Sequence, residues 1–324
     1  VRSVPAVPAA VGGHLRTVLQ NQAVLNVSER IAAAPRSVEE LVDEEKRRDA
    51  NVDRLVNKLA RDMGAEIVSG DMAGVPIYSI KPAEVAPAFS NRRLVFLHLH
   101  GGGYVYGAGL ACAQEGVLIA HRAKIEVISV DYRMAPAHPF PAGLEDAVRV
   151  YQELLKTHPA ANIAVGGTSA GGGLTLAAVQ RFKALGLDLP TALFLGSPWA
   201  DLGKRGDTLF TLEGIDRTLV SYDGHLYRLA KSYVGENDVN DPLISPIYGD
   251  FAGFPPAQIV AGTRDMFLSD TCRVHRKFKL AGVEAELNVY EGISHGELVN
   301  LARTDESEQA YRELGTFLMK HITT

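Results

Sequence analysis

The feature that most restricts the fold of this chain is an alternation of short apolar runs with helical patterns between residues 94 and 321. Most residues within these runs are apolar, including neighbouring ones, so both faces of the corresponding strands would be buried. Strands of this kind that alternate with helices predict an α/β fold, in which helices cover both faces of a parallel sheet. The predicted strands are 94–99, 125–130, 163–165, 192–195, 257–260 and 285–289, and the predicted helices lie near 114–123, 143–157, 171–185, 269–281 and 304–321.

The part of the chain before this alternation predicts helices followed by a hairpin. Residues 15–63 alternate apolar and charged positions at helical spacing, and Ser37 and Glu40 form a capping-box pattern that Gly64 follows at the far end. The segments EIVSG and VPIYSI then read as two short strands around a DMAG turn. This hairpin would add antiparallel strands to one edge of the sheet.

One segment interrupts the alternation. Residues 201–245 are long, polar and without a clear buried strand, and a loop of this length inside a compact domain is usually functional or a small subdomain. The whole chain has 324 residues, about twice the length typical of one domain. Its length therefore leaves one large domain with added elements, or two domains, both open.

Composition restricts the partners and the compartment of the protein. Lys and Arg number 33 against 38 Asp and Glu, a net charge of −5, which argues against binding to nucleic acid or to an anionic membrane. No apolar run reaches the roughly 18 residues of a membrane span, so no stable membrane association is expected. The first residues, VRSVPAVPAAVGG, lack the apolar region of an intact signal peptide. We expect a cytoplasmic enzyme, although a first residue of Val leaves removal of a leader, propeptide or tag open.

The two cysteines do not indicate a metal site. Cys112 and Cys272 lie 160 residues apart, and neither belongs to a C-x-x-C or Cys/His spacing. Two reduced thiols are the prediction, with a disulfide between them as the alternative.

The strongest catalytic signal is a G-x-S-x-G motif, formed by residues 167–171 and centred on Ser169. It directly follows a predicted strand and directly precedes a predicted helix, as the nucleophile elbow requires. Such a turn strains the backbone at the serine, and small neighbours prevent collisions there. The hydroxyl would then lie at a helix N-terminus, where partial positive charge favours a developing anion. The alternative is an ordinary glycine-rich turn.

A second signal is the run LVFLHLHGGGYVYG, in which three glycines follow the first long apolar strand. Glycines leave backbone N–H groups unshielded, and with the N–H of Ala170 these could form an oxyanion hole.

Two other interpretations of this run are weaker. His98 and His100 would share one strand face as a metal pair, but no third ligand of suitable spacing follows. Gly101, Gly103 and Gly107 with Asp131 resemble a dinucleotide loop, but their spacing is G-x-G-x-x-x-G and about ten further residues precede the next predicted helix.

A nucleophilic serine needs a base, and the base needs an orienting acid. His295 lies in a glycine-flanked loop after the last predicted strand, and Asp265 follows the preceding strand. The order Ser169, Asp265, His295 is the order found in α/β-hydrolases. Asp270 is the main rival to Asp265, but it is expected at the N-cap of the following helix, a structural position.

Taken together, these motifs resemble the bacterial hormone-sensitive lipase-like esterases of the α/β-hydrolase superfamily. The resemblance spans residues 98–297, and the GTSAG motif, with Thr168 where many relatives have Asp, is similar to that of the GTSAG subgroup. The matching segments, in family order, are HGGGYVYG, DYRMAPAHPFPAGLEDA, GGTSAGG, SPWADL, DPLISPI, GFPPAQIVAGTRDMFLSD and EGISHG.

The resemblance implies a mostly parallel eight-stranded sheet with Ser169 as nucleophile, His295 as base and Asp265 as orienting acid. It implies an oxyanion hole formed by the N–H groups of Gly101, Gly102 and Ala170. Asp131-Tyr132-Arg133 resembles the family's structural strand end beneath the HGGG loop. Two departures, Ala137 in place of Glu and Gly296 in place of Phe or Ala, affect the expected substrate fit more than the chemistry.

Such enzymes cover the site with a helical cap. The resemblance implies an N-terminal cap segment at 1–60 and a catalytic domain at 61–324, with 201–245 as a cap insertion. Apolar residues of the insertion would line the acyl pocket or, alternatively, pack the cap's own small core; they are Phe210, Leu212, Ile215, Leu219, Tyr222 and Tyr227.

The predicted function is a serine carboxylesterase that hydrolyses short- to medium-chain esters through an acyl-enzyme, with a small-molecule ester as its partner and no metal or organic cofactor. A ligand-binding relative without catalysis is one alternative, and an amidase or transacylase on the same residues is another. Dimers through the last strand and helix are common among such enzymes, so a homodimer is an expectation that rests on the resemblance.

Overall fold

The computed structural model describes residues 3–322, apart from the side chains of residues 49–51, so the first two residues of the predicted cap segment lie outside the described residues. Eight strands form a single sheet in this range. They are β1 (Glu66–Met72), β2 (Val75–Lys81), β3 (Val95–Leu99), β4 (Glu126–Val130), β5 (Ile163–Thr168), β6 (Ala192–Gly196), β7 (Ala257–Gly262) and β8 (Ala285–Tyr290).

The sheet confirms the predicted α/β class. Its strand order is β1-β2-β4-β3-β5-β6-β7-β8, and pairing is parallel from β4 through β8. The hairpin β1–β2 pairs antiparallel to β4 at one edge, as predicted. Every residue of β3, β5, β6 and β7 is buried, which is why most residues of these segments are apolar.

Helices lie between the strands and before the hairpin. They are α1 (Gly13–Gln20), α2 (Val27–Ala32), α3 (Val38–Met63), α4 (Pro87–Arg92), α5 (Gln114–Ala123), α6 (Ala142–Leu155), α7 (Ala170–Ala184), α8 (Thr208–Thr211), α9 (Tyr227–Val234), α10 (Leu268–Leu280), α11 (Glu297–Asn300) and α12 (Asp305–Ile322). None of the helices within residues 3–322 combines the length and the apolar character that crossing a membrane demands.

Local sequence signals explain the ends of α3 and the turn of the hairpin. The Ser37 hydroxyl accepts a hydrogen bond from the Glu40 N–H at 3.2 Å, and Gly64 ends the helix in the left-handed conformation. The capping box is only half formed, because the Glu40 carboxylate accepts from the N–H of Arg36 instead of Ser37. At the hairpin, Ala73 and Gly74 both have positive φ, which matches the twist of the two strands.

Two core clusters pack against opposite faces of the sheet, and the 201–245 segment lies outside the strand alternation. It contains α8, a bend at Tyr222–Leu226 and α9, and its Gly224 lies against Ile31 of α2. The N-terminal helices and this insertion are therefore in contact although about 190 residues separate them.

Cys112 is buried and Cys272 exposed, and both are free thiols, as predicted.

Candidate active site

Three side chains meet where β5, β7 and β8 end. The Ser169 hydroxyl lies 2.8 Å from His295 Nε2, and His295 Nδ1 lies 3.1 and 3.3 Å from the two carboxylate oxygens of Asp265. The carboxyl ends of parallel strands share one edge of the sheet, so loops far apart in sequence converge there. The structure thus brings all three predicted residues to hydrogen-bonding distance.

Ser169 occupies a strained turn between β5 and α7. Its φ of 63° and ψ of −123° lie outside the regions that non-glycine residues favour. The carbonyl oxygen of Leu99, at the end of β3, lies between Gly167 and Gly171, and a Cβ atom on either glycine would overlap it. Only glycine fits at these two positions of the motif, because the end of β3 passes close to the turn.

Replacing Gly171 by Ala is expected to lower the free energy of unfolding by about 3 kcal/mol or more, because the new methyl group would overlap the Leu99 carbonyl oxygen in a fully packed region. Urea unfolding followed by circular dichroism measures the change. Gly13→Ala is the matched control, since Gly13 is also in the first turn of a helix but has no atom within 4 Å of the added Cβ. Equal stability of the two variants would contradict the steric explanation.

The protonation of His295 follows from its partners. A carboxylate only accepts hydrogen bonds, so Nδ1 carries the proton that is donated to Asp265 and Nε2 is left to accept from the Ser169 hydroxyl. Burial alone would lower the pKa of His295, but the carboxylates of Asp265 and Asp216 outweigh burial and raise that pKa above its ordinary value. The Phe267 ring packs edge-on against the imidazole with 4.6 Å between ring centres and restricts its rotation.

Asp270 does not take part in this arrangement. Its carboxylate accepts hydrogen bonds from the N–H groups of Ala200 and Asp201 at 3.2 and 2.9 Å and pairs with Arg273. The expected N-cap position is wrong, since α10 begins at Leu268 and Asp270 is its third residue. Its role is nevertheless structural, because it joins α10 to the chain that follows β6.

The HGGG loop lies beside the serine. A Cβ atom on Gly101 would lie 2.9 Å from the carbonyl oxygen of Thr168 and 3.4 Å from Ser169 Cβ, so only glycine fits this approach. Within the described part of the chain, the amide N–H groups of Gly101, Gly102 and Ala170 donate to no protein acceptor. Three backbone donors near the serine are thus available to a ligand.

The two histidines of this run have different structural partners. His100 Nδ1 donates to the Gly101 carbonyl at 2.7 Å while the ring stacks on Tyr132. His98 bonds through Nδ1 to the Ser129 hydroxyl and through Nε2 to the buried carboxylate of Glu115. The rings do not face a common ligand position, which disfavours the metal-pair interpretation. The α-helix that follows this loop in the chain, α5, begins only at Gln114, so it does not start directly after the glycines as the helix of a dinucleotide site would.

Sequence reasoning missed Glu115, whose carboxylate binds Thr168, the residue before Ser169. It accepts from the N–H of Thr168 at 3.1 Å and from the Thr168 and Tyr311 hydroxyls at 2.5 and 3.0 Å. A side chain from α5 thereby fixes the position of Thr168. No local pattern around Glu115 indicates this, because its partners come from β3, β5 and α12.

A cavity of about 410 Å³ opens above Ser169. Its walls come from the HGGG loop, from α2 and α3, and from the 201–245 segment, which contributes Thr218, Leu219, Val220, His225, Leu226 and Leu229. Of the six apolar residues predicted for this role, only Leu219 lines the cavity. Tyr222 is buried and donates to the Leu202 carbonyl, whereas Phe210 and Tyr227 are 50% and 44% exposed. The prediction that these six residues form the wall is therefore wrong except at Leu219, whereas the burial of Tyr222 agrees with the alternative that they pack inside the insertion.

A polar group at the cavity wall was also missed. The Tyr106 hydroxyl lies 2.9 Å from His225 Nε2, and the Arg48 guanidinium lies over the Tyr106 ring, 4.6 Å from its centre. Arg48 also pairs with Glu44 at 2.8 Å. This group joins α3, the HGGG loop and the insertion across one side of the cavity.

Comparisons with known proteins show which family the chain belongs to. The sequence model of a family described by the alpha/beta hydrolase fold matches residues 96–299. An acetyl-hydrolase of Streptomyces hygroscopicus is 34% identical over 212 residues, 65% of this chain and 70% of that protein. The crystal structure of esterase E25 superimposes with a TM-score of 0.95 at 39% identity, covering 99% of this chain and 97% of the other. An esterase of the bacterial hormone-sensitive lipase family superimposes with a TM-score of 0.79 at 32% identity, covering 91% and 95%.

The match over residues 96–299, more than half of the chain, defines the class of protein. The chain belongs to the α/β-hydrolase fold family, as a carboxylic ester hydrolase similar to the hormone-sensitive lipase-like esterases. The eight-stranded, mostly parallel sheet described above is that of an α/β-hydrolase fold.

Proposed function

We propose that the protein hydrolyses short- to medium-chain carboxylic esters through a covalent acyl-enzyme on Ser169. The observation that carries the proposal is the 2.8 Å contact between the Ser169 hydroxyl and His295 Nε2, next to backbone N–H groups that have no protein acceptor within residues 3–322. In the first step the serine oxygen attacks the ester carbonyl carbon while His295 takes the hydroxyl proton. Asp265 holds the imidazole in the required tautomer and stabilises the imidazolium that forms.

The negative charge of the tetrahedral intermediate needs donors that are already in place. We assign this role to the N–H groups of Gly101, Gly102 and Ala170, whose availability is supported by the absence of protein acceptors in the described residues. His295 then protonates the leaving alcohol. A water molecule attacks the acyl-enzyme by the same route and regenerates the serine.

The residues around the cavity support the proposal that a cap covers the site and limits the size of the substrate. We propose that the N-terminal segment at 1–60 and the insertion at 201–245 form this cap, because residues from both line the cavity above Ser169. A volume of about 410 Å³ suits a small neutral ester. The motif at residues 167–171 further supports a place in the GTSAG subgroup.

A series of p-nitrophenyl esters tests the substrate range. We expect acetyl, butyryl and hexanoyl esters to give the highest kcat/KM and the palmitoyl ester a value lower by at least about 100-fold, because its chain exceeds the cavity. The measurement is initial rate against concentration below the solubility limit of each ester. Equal kcat/KM for butyryl and palmitoyl esters would exclude a size-limited pocket.

The pH dependence of kcat/KM tests the role of His295. The base must be neutral to accept the serine proton, and its pKa is raised above the ordinary value of 6.5 mainly by Asp265. Activity is therefore expected to fall as pH decreases through an apparent pKa above 6.5. A profile that stays flat to about pH 5 would contradict His295 as the base.

Reaction with a fluorophosphonate tests the proposal directly. We expect one covalent adduct per chain, located on the peptide that contains Ser169 by mass spectrometry. Absence of labelling in the folded protein would exclude the serine mechanism and favour a ligand-binding relative.

A further inference from the structure

Asp216 is a buried carboxylate at the site that the proposed mechanism does not use. It lies in the 201–245 insertion and is 0% exposed. Oδ1 accepts hydrogen bonds from the N–H groups of Thr218 and Leu219 at 2.8 and 3.0 Å. Oδ2 accepts from the N–H of Met266 at 2.9 Å and from that of His295 at 3.4 Å. The carboxylate therefore has four backbone donors from three separate segments.

Each of these segments carries part of the site. Met266 directly follows Asp265, and the N–H of His295 belongs to the proposed base itself. Thr218 and Leu219 line the cavity above Ser169. One carboxylate thus joins the loop of the acid, the loop of the base and the wall of the substrate cavity.

The next residue, Arg217, extends these connections to the N-terminal part of the chain. Its guanidinium pairs with both carboxylate oxygens of Glu297 and donates to the Gln22 side-chain oxygen at 3.0 Å. Gln22 Oε1 also accepts from Arg264, the residue before Asp265. Glu297 accepts in turn from the N–H of Ser294, the residue before His295. Hydrogen bonds around Arg217 therefore also hold the residue before the proposed acid and the residue before the proposed base.

The charge of Asp216 also acts on these groups. Burial and the nearby carboxylate of Asp265 raise the pKa of Asp216 to about 6, against the opposing effects of His295 and the backbone N–H donors. In return, the Asp216 carboxylate adds to the effect of Asp265 in raising the pKa of His295. The charged groups that act on Asp216 are therefore the proposed acid and base themselves, with the ion pair of Arg217 and Glu297 next to them.

From this arrangement, and resting on the serine mechanism proposed above, we propose that Asp216 is a positioning residue. It holds the loops of Asp265 and His295 at the distances that catalysis requires and fixes the 218–219 wall of the cavity to them. Substrate-induced movement of the insertion would therefore change the alignment of the base as well as the shape of the pocket.

The test compares Asp216→Asn with the control Asp223→Asn in the full-length protein. Asp223 is a carboxylate of the same insertion that is more than half exposed and pairs with Lys204 at 2.6 Å. For Asp216→Asn we expect kcat for p-nitrophenyl butyrate to fall about 100-fold with a smaller change in KM, because the catalytic groups lose their alignment. The acid limb of kcat/KM should move to lower pH, because one negative charge near His295 is removed. The control should keep the kcat and the acid limb of the wild type.

A merely structural role gives a different result. In that case kcat would follow the folded fraction measured by circular dichroism, and the acid limb would not move; either finding overturns the proposal. Asp216→Ser is a second variant, which keeps one acceptor and removes the charge. If neither variant folds, Asp216 is a requirement of folding and the positioning role is also overturned.

Fluorophosphonate labelling separates this inference from the proposed function. If the wild type is not labelled, the serine mechanism fails whatever the Asp216 variants do. If the wild type is labelled and Asp216→Asn behaves like Asp223→Asn, only the positioning role fails.

Discussion

Replacing Ser169 by Ala is expected to lower kcat/KM for p-nitrophenyl butyrate by about 10⁴-fold or more, the largest effect of any substitution discussed for this protein. The oxygen that would attack the carbonyl is removed, and no acyl-enzyme can form. The fold should be unchanged, because Ser169 shapes the turn through its backbone: its N–H donates to the Gly196 carbonyl, and its own carbonyl accepts from the N–H of Trp199. Initial rates and fluorophosphonate labelling measure the effect together.

The control for this substitution is Ser90→Ala, at an exposed serine on α4. We expect that variant to keep wild-type kcat/KM and labelling. Hydrolysis by Ser169→Ala at more than a trace of the wild-type rate, after contaminating activity is excluded with a fluorophosphonate, would falsify the nucleophile assignment.

Replacing Asp265 by Asn is expected to lower kcat by about 10³- to 10⁴-fold. The amide preserves the shape but can donate to His295 Nδ1, which favours the tautomer with its proton on Nε2. That tautomer cannot accept the Ser169 proton. The substitution also removes the charge that contributes most to raising the pKa of His295, so the acid limb of any residual activity should move to lower pH.

Asp270→Asn is the matched control for Asp265→Asn. Both carboxylates are buried and lie five residues apart, but that of Asp270 faces the backbone N–H groups of Ala200 and Asp201. The Asp270 variant should keep kcat near the wild-type value. If instead Asp270→Asn lost activity and Asp265→Asn kept it, the acid would have to be reassigned.

Much of the fold could be predicted from the sequence because burial on both faces leaves a simple pattern. The runs in β3 and β7 are mostly apolar, and the hairpin alternates around a turn that needs positive φ at Ala73 and Gly74. The ends of the strands were predicted less accurately than their positions in the chain. The prediction stopped β5 at residue 165, whereas it continues to Thr168, because glycines extend the strand toward the serine without adding apolar character.

The candidate site could be predicted from the sequence for those residues that follow a strand. Ser169, Asp265 and His295 each follow an apolar strand, and parallel strands bring their carboxyl ends together. Asp216 and Glu115 gave no such signal. Asp216 lies in a polar insertion without regular pattern, and the role proposed for it rests on its hydrogen bonds with the backbone N–H groups of Met266 and His295.

The sequence also did not show which apolar residues line the cavity wall. Phe210 and Tyr227 are large enough to line a pocket, yet the structure leaves them exposed and uses the smaller Leu219 and Leu226 at the cavity. Size and hydrophobicity do not reveal the direction of a side chain in a segment without helical or strand periodicity.

By itself, the sequence determined the α/β class and the antiparallel hairpin at the sheet edge, and it predicted the candidate serine, acid and base that follow three strands. These features depend on local periodicity and on short motifs, which one stretch of chain contains completely. The tertiary structure alone decided which carboxylates contact the candidate site and which side chains line the cavity. Those choices depend on contacts between residues far apart in sequence, such as Asp216 with His295 and Glu115 with Thr168, and no local pattern encodes the packing that brings them together.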